Sequence, residues 1–87
     1  MIRGAFTRDA FARAVVEESI DPRAFAIEAS GDECYVLLAA DGGWEVFYSE
    51  RGLKSDLRRF ATEAAGLEDL LARLRADPST RLPGAKG

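Results

Sequence analysis

Apolar residues recur along the chain with two periods, every three to four positions in some stretches and every two in others, and the change of period marks its elements. From Arg8 to about Ser19, Phe11, Ala14, Val15 and Glu18 lie on one helical stripe. Thr7 stands where an N-cap hydroxyl accepts from the first free backbone N–H groups. Phe6 and Phe11 occupy the two positions of a hydrophobic staple around that cap. Asp21-Pro22 is expected to end the helix, because proline pushes the preceding residue out of helical geometry. Phe25, Ile27 and Ala29 then alternate with Ala24, Ala26 and Glu28, the period of a short strand, although the alanines leave a helical continuation over 24–29 open.

Ser30 to Glu33 reads as a turn, and Cys34 to Ala40 is dense in β-branched, aromatic and aliphatic residues, the composition of a strand. Asp41-Gly42-Gly43 supplies the positive φ angles of a tight hairpin, and Trp44 to Glu50 returns as the partner strand. Trp44, Val46 and Tyr48 share the face expected to meet the core, while Glu45, Phe47 and Ser49 share the other. Both faces of the outgoing strand are apolar, so the register stays open and Tyr35, Leu37 or Phe47 is expected to be exposed on the far side of the sheet. Arg51 to Ser55 reads as a polar loop, and Asp56 to Ala61 as a last strand whose charges suit an edge. Thr62 caps a second helix with Leu67, Leu70, Leu71 and Leu74 on one face. Glu63 sits near its positive end, and Arg73 and Arg75 near its negative end. Gly66 inside this helix costs about 1 kcal/mol relative to alanine. Asp77-Pro78 ends it, and Ser79 to Gly87 is expected to fray. The order predicts a two-layer α+β sandwich: N-terminal helix, three- to four-stranded mostly antiparallel sheet, C-terminal helix, forming one domain over 1–78 with a tail over 79–87.

The composition narrows the chemistry. Eighty-seven residues with 47% hydrophobic and 31% charged content make a single folded globule. No apolar run approaches the roughly 20 residues of a membrane span. Met1 to Asp9 lacks the apolar segment of a secretory signal, so a cytoplasmic protein is expected. There is no His, and Cys34 is the only Cys, which leaves no imidazole base, intrachain disulfide or ordinary zinc cluster. No catalytic, cofactor or metal site is therefore expected. Cys34, at the start of an apolar strand, reads as a packing thiol. The adjacent pairs Glu17-Glu18 and Asp32-Glu33 diverge in direction rather than forming an acid–base couple, and no Lys-Ser/Thr follows Gly42-Gly43 to make a phosphate loop. Arg58-Arg59-Phe60 suits a charged edge better than an RNA surface. Trp44 reads as a core anchor, with an interface hot spot at the hairpin mouth as the other reading.

Charge is unevenly spread. The net charge of −3 disfavours nucleic acid and anionic membranes as partners. Four basic and ten acidic residues give −6 from Met1 to Glu50, and eight basic and five acidic give +3 from Arg51 to Gly87. An acidic patch facing a basic partner is one reading of this asymmetry; a mixed solvated surface is the other.

Gly43 to Gly52, then Arg59-Phe60 and Thr62-Glu63, then an apolar helix ending in Arg75-Ala76-Asp77-Pro78, resembles small immunity proteins of bacterial polymorphic-toxin systems. The likeness runs from about Cys34 to Arg81. Similar proteins are often encoded beside NAD-glycohydrolase toxins of the tuberculosis-necrotizing-toxin type. The resemblance implies a non-enzymatic inhibitor that occludes a cognate toxin's active site, without cofactor or metal. A cleft that binds a dinucleotide is expected to be electropositive, so carboxylates on a rigid hairpin would enter it. Candidate partner-binding residues are Asp41, Trp44 and Glu45 at one end of the central hairpin and Glu50, Arg51 and Lys54 at the other. A seven-residue strand spans roughly 23 Å, so the two groups are expected to stand apart. The Glu50–Ser55 loop is favoured as long enough to project, with Gly52 letting it bend. The competing expectation is a structural or regulatory interaction module, a homodimer joined through the apolar far side of the sheet.

Overall fold

The computed structural model describes residues 6–82. Helix α1 (Arg8–Glu17) opens on Thr7, whose Oγ1 accepts from the Ala10 backbone N–H at 3.1 Å. It stops before the proline can act, because Ser19 takes a left-handed φ of 55°. Asp21 instead caps a short 3₁₀ turn, Pro22–Ala24, through its carboxylate. The four strands β1 (Phe25–Ile27), β2 (Cys34–Ala40), β3 (Gly43–Glu50) and β4 (Leu53–Phe60) lie side by side in chain order. Helix α2 (Glu63–Ala76) follows, capped by Thr62 Oγ1 on the Ala65 N–H. The predicted α+β arrangement, helix, mixed sheet, helix, is what the chain adopts.

The apolar stripes of both helices close on one face of the sheet. Phe11 and Val15 from α1 and Leu67, Leu70, Leu71 and Leu74 from α2 are buried against Leu37 and Val46, with Ile20 sealing the end. Trp44, Tyr48 and Tyr35 lie on this face too, as the register Tyr35↔Tyr48, Leu37↔Val46, Ala39↔Trp44 requires. Gly66 is explained by close approach: a Cβ there would stand 2.7 Å from Leu37 Cδ1.

One feature was left open by the sequence reading and three differ from it. First, β1 is parallel to β2, and only the six residues between Ile27 and Cys34 connect them. Such a crossover usually takes a dozen residues or more. Here β1 is three residues long, about 10 Å, and six extended residues reach roughly 20 Å. Second, the far side of the sheet is not an exposed apolar face. Tyr35 and Leu37 point to the helices, and Cys34, Val36 and Phe47 form a second buried cluster. The crossover covers part of it, with Gly31 packed on Cys34 and held by a Ser49 Oγ bond to its carbonyl at 2.7 Å. Lys54 covers Phe47, its Nζ 4.8 Å from the ring centre.

Third, no loop runs from Arg51 to Ser55. Arg51 and Gly52 have φ of 52° and 78°, the pair of positive angles of a two-residue hairpin turn, so β4 begins at Leu53. A bulge at Asp56, φ 54°, then resets the pairing between Val46↔Arg58 and Tyr48↔Ser55. Fourth, the expected frayed tail is docked as far as Leu82. Asp77 caps a 3₁₀ turn, Pro78–Thr80, and Thr80 is buried with its hydroxyl donated to the Leu74 carbonyl at 2.8 Å. Its carbonyl accepts from the Asp21 N–H, and the Leu82 N–H bonds Ser19. The remainder of the predicted tail, 83–87, lies outside the described residues.

Candidate functional site

Local geometry separates the six candidate partner-binding residues differently from the sequence reading. Trp44 faces the helices opposite Phe60 and Ala39 and packs on the core, so it anchors the sheet rather than a surface. Asp41 is exposed in a two-residue turn with φ of 36°. Glu45 and Lys54, expected about a strand's length apart, meet on the far side of the sheet. Lys54 Nζ lies 3.7 Å from one Glu45 oxygen and Arg59 Nε 3.7 Å from the other. The β3–β4 pairing brings this about, because it folds Lys54 and Arg59 back alongside β3. Glu45 thus has two cations on its carboxylate and is not a free acid at the hairpin mouth.

Glu50 and Arg51 occupy the opposite end, and there the chain assembles an acidic group that the sequence order hides. Arg51 donates its backbone N–H to Asp32 Oδ1 at 2.7 Å, which fastens the β3–β4 turn to the crossover before β2. Beside it, Asp21, Arg23, Asp32, Glu33, Tyr35, Tyr48 and Asp77 line an open cleft of about 340 Å³. Tyr35 and Tyr48 meet edge to face with ring centres 4.9 Å apart. The lining carries four carboxylates, Asp21, Asp32, Glu33 and Asp77, against the single guanidinium of Arg23, while Glu50 acts on Tyr48 and Arg73 on Tyr35 from outside it.

The electrostatics of the cleft follow from burial and these charges. Burial pushes the Tyr35 hydroxyl up to about 12, and donating a 2.9 Å hydrogen bond to Asp77 adds to the shift. Tyr48 is raised as well, first by burial and then by the carboxylates of Glu50, Glu33 and Asp77. Both phenols are therefore neutral donors at pH 7. Asp21 is held below the usual carboxylate range by Arg23, whose guanidinium and backbone N–H both donate to it. Asp77 is lowered mainly by Ser79. The arrangement presents fixed negative charge and two hydroxyls around an aromatic floor, a surface that attracts a cationic partner.

A second, larger opening of about 830 Å³ runs between β4 and α2, lined by Leu57, Ala72, Ala76 and Pro78 with Asp56, Arg58, Asp69 and Arg73, and it shares Tyr35 and Asp77 with the acidic cleft. Arg58 and Arg73 share Asp69 at 3.5 and 2.8 Å, and Arg73 also donates to the Asp56 carbonyl at 2.7 Å. Cys34 is buried, its thiol pushed up first by burial and then by Asp32. Among the described residues no three His, Cys, Asp or Glu side chains are arranged to hold a metal ion, and no helix is long and apolar enough to cross a membrane. The sequence reading missed Asp21, Glu33, Asp77 and the tyrosine pair as parts of one surface. Asp32 and Glu33 read only as a turn, and Asp77 only as a helix stop. The two Asp-Pro pairs were the available signal: each aspartate caps a 3₁₀ turn, and the carbonyl bond of Thr80 to Asp21 brings the two turns together.

No protein-family model, curated protein or solved structure matches the chain.

Proposed function

We propose that this chain is a cytoplasmic immunity protein that binds a cognate bacterial toxin, an NAD-degrading one, and occludes its active site. The observation that supports the reading best is the excess of carboxylates, four against one guanidinium, lining one cleft at the Glu50 end. A toxin site that holds a dinucleotide must neutralise phosphates, and a rigid acidic surface complements it without needing catalytic groups of its own. The resemblance of Gly43–Gly52 and the following helix to polymorphic-toxin immunity proteins agrees with this. Within the surface, Glu50 and Glu33 carry the contact, and both carboxylates act on Tyr48. Arg51 positions the turn through its backbone bond to Asp32.

The experiment is growth rescue and direct binding with the product of the adjacent open reading frame, using charge reversals at the acidic cleft. Glu33→Lys and Glu50→Lys should each weaken binding by about 2 kcal/mol or more, the range of an interface hot spot. Asp41→Ala and Glu45→Ala, outside the cleft, should bind as the parent does. A neighbouring product that is not toxic, or that this protein neither binds nor neutralises, overturns the reading; loss confined to Asp41 and Glu45 moves the contact to the other end of the hairpin.

A further inference from the structure

The acidic cleft and the opening between β4 and α2 are two halves of one groove. Tyr35 and Asp77 line both, and the 2.9 Å bond from the tyrosine hydroxyl to the carboxylate stands where they join. The halves differ in chemistry. The first carries Asp21, Asp32, Glu33 and Asp77 against Arg23 alone. In the second, apart from the shared Asp77, the charges balance: Arg58 and Arg73 stand against Asp56 and Asp69. What remains there is apolar, Leu57 of β4 with Ala72 and Ala76 of α2, and Leu57 is 41% exposed.

Polar ties between its walls keep the second half open. The bulge at Asp56 interrupts the pairing with β3, and the Asp56 carbonyl accepts from Arg73 of α2 at 2.7 Å. Arg73 also holds Asp69 through Nε at 2.8 Å, and Arg58 reaches the same carboxylate from β4 at 3.5 Å. The strand and the helix therefore keep their separation without an occupant, and a ligand meets a formed site instead of ordering one. In the acidic half Arg23 already seats a guanidinium on Asp21, with contacts of 3.2 and 3.0 Å. That local pair engages Asp21 only, and Asp32, Glu33 and Asp77 form no ion pair among the described residues.

We propose that this groove receives an extended segment of the toxin that carries a basic side chain and, two residues along, an apolar one. The cation enters among the carboxylates beside the edge-to-face pair of Tyr35 and Tyr48. The apolar side chain settles against Leu57, Ala72 and Ala76. Side chains two apart on an extended chain point the same way about 7 Å apart, which suits two adjoining openings with a common wall. The partner's identity rests on the toxin-binding reading, whereas the chemistry of the groove does not. The chain's own Arg51-Gly52-Leu53 has the same spacing, but φ values of 52° and 78° fold it into a tight turn, so a second copy does not supply the segment.

Titration of the isotope-labelled full chain with acetyl-Gly-Arg-Gly-Leu-Gly-amide, followed through its amide NMR shifts, tests the proposal. A short flexible probe gives up much of its interaction energy on ordering, so a Kd of about 1 mM is expected. Shifts should cluster at Glu33, Tyr35 and Tyr48 in one half and at Leu57, Ala72 and Ala76 in the other. Glutamate in place of the peptide's arginine should weaken binding about tenfold or more, and serine in place of its leucine about fivefold. Glu33→Lys should act on the arginine peptide as that charge reversal does. Ala72→Gln keeps a good helix former at an exposed position while filling the apolar half; it should weaken the leucine peptide and leave the serine peptide unchanged. Arg23→Ala removes the competing guanidinium and should tighten the arginine peptide, with circular dichroism confirming the fold of each variant. No shifts up to about 10 mM peptide, shifts confined to one half, or equal affinity for all three peptides overturns the proposal, as does a parent chain that dimerises and loses its dimer on addition of the peptide. Selective peptide binding without any binding of the adjacent gene's product removes the toxin as partner and leaves the groove's chemistry standing. Binding of that product at full strength to Ala72→Gln, with no peptide binding, does the reverse.

Discussion

Two glycines show how a single missing methyl group fixes the spacing of this fold. A Cβ on Gly43 would stand 2.7 Å from the backbone carbonyl oxygen of Phe60, and one on Gly66 would stand 2.7 Å from a methyl of Leu37. The distances match but their consequences do not. The Phe60 carbonyl belongs to the β3–β4 ladder and can move only if the strands part, whereas Leu37 can shift its side chain. Helix propensity also returns about 1 kcal/mol to alanine at Gly66 and nothing at Gly43. Gly43→Ala should therefore cost about 1–3 kcal/mol, the range of an overpacked site, and Gly66→Ala clearly less. Urea unfolding of the two variants beside the parent decides it; an equal or larger loss at Gly66 would mean that the α2–sheet packing is tighter than the ladder.

At the scale of elements, what could be read from the sequence was whatever a local pattern determines. Both helices carry a threonine cap and a stripe of apolar residues, and the structure buries Phe11, Val15 and all four α2 leucines as those stripes require. The central hairpin was legible because Asp41-Gly42 favours positive φ at both turn positions. The second hairpin was not, because Arg51 is an unusual residue for a left-handed angle and its turn reads as an ordinary polar loop. The parallel pairing of β1 was equally hidden: periodicity reports a strand and not its neighbour. The acidic cleft was the least legible feature, since its residues come from both Asp-Pro turns, the crossover and two strands. Leu70 and Val16 offer a check on the helical stripes. Leu70 is fully buried and Val16 is 77% exposed. Leu70→Ala should cost about 2–5 kcal/mol, and Val16→Ala should stay within about 0.5 kcal/mol. Comparable losses at the two positions would show that α1 is packed on a different face.

The whole molecule is tied together across its ends by charge. Arg8 joins the start of α1 to Glu28 beyond β1 and to Glu63 at the start of α2. Arg75 near the end of α2 grips Glu18 at the end of α1 at 2.6 Å. That second junction is also where the chain's last described segment docks, through Thr80 on Asp21 and Leu82 on Ser19. Three carboxylates there are held below their ordinary values: Glu18 chiefly by hydrogen bonds from Arg75, Asp21 by Arg23, and Asp77 by Ser79. A carboxyl depressed in the folded state binds fewer protons there than in the unfolded chain, so stability rises with pH through this range. The contribution is complete above the ordinary values, 4.5 for Glu18 and 3.8 for the two aspartates, and drains away as pH falls through the lower folded values. The unfolding temperature should therefore hold steady from neutral pH to about pH 5 and fall progressively below pH 4. Glu18→Gln and Asp77→Asn, which cannot titrate, should start from a lower unfolding temperature at neutral pH and lose less on acidification. Differential scanning calorimetry from pH 7 to pH 3 gives the answer. A parent curve with no acid limb, or one whose slope the two substitutions leave untouched, would place the pH-sensitive contacts elsewhere than at the junction of α1 with the docked C-terminal segment.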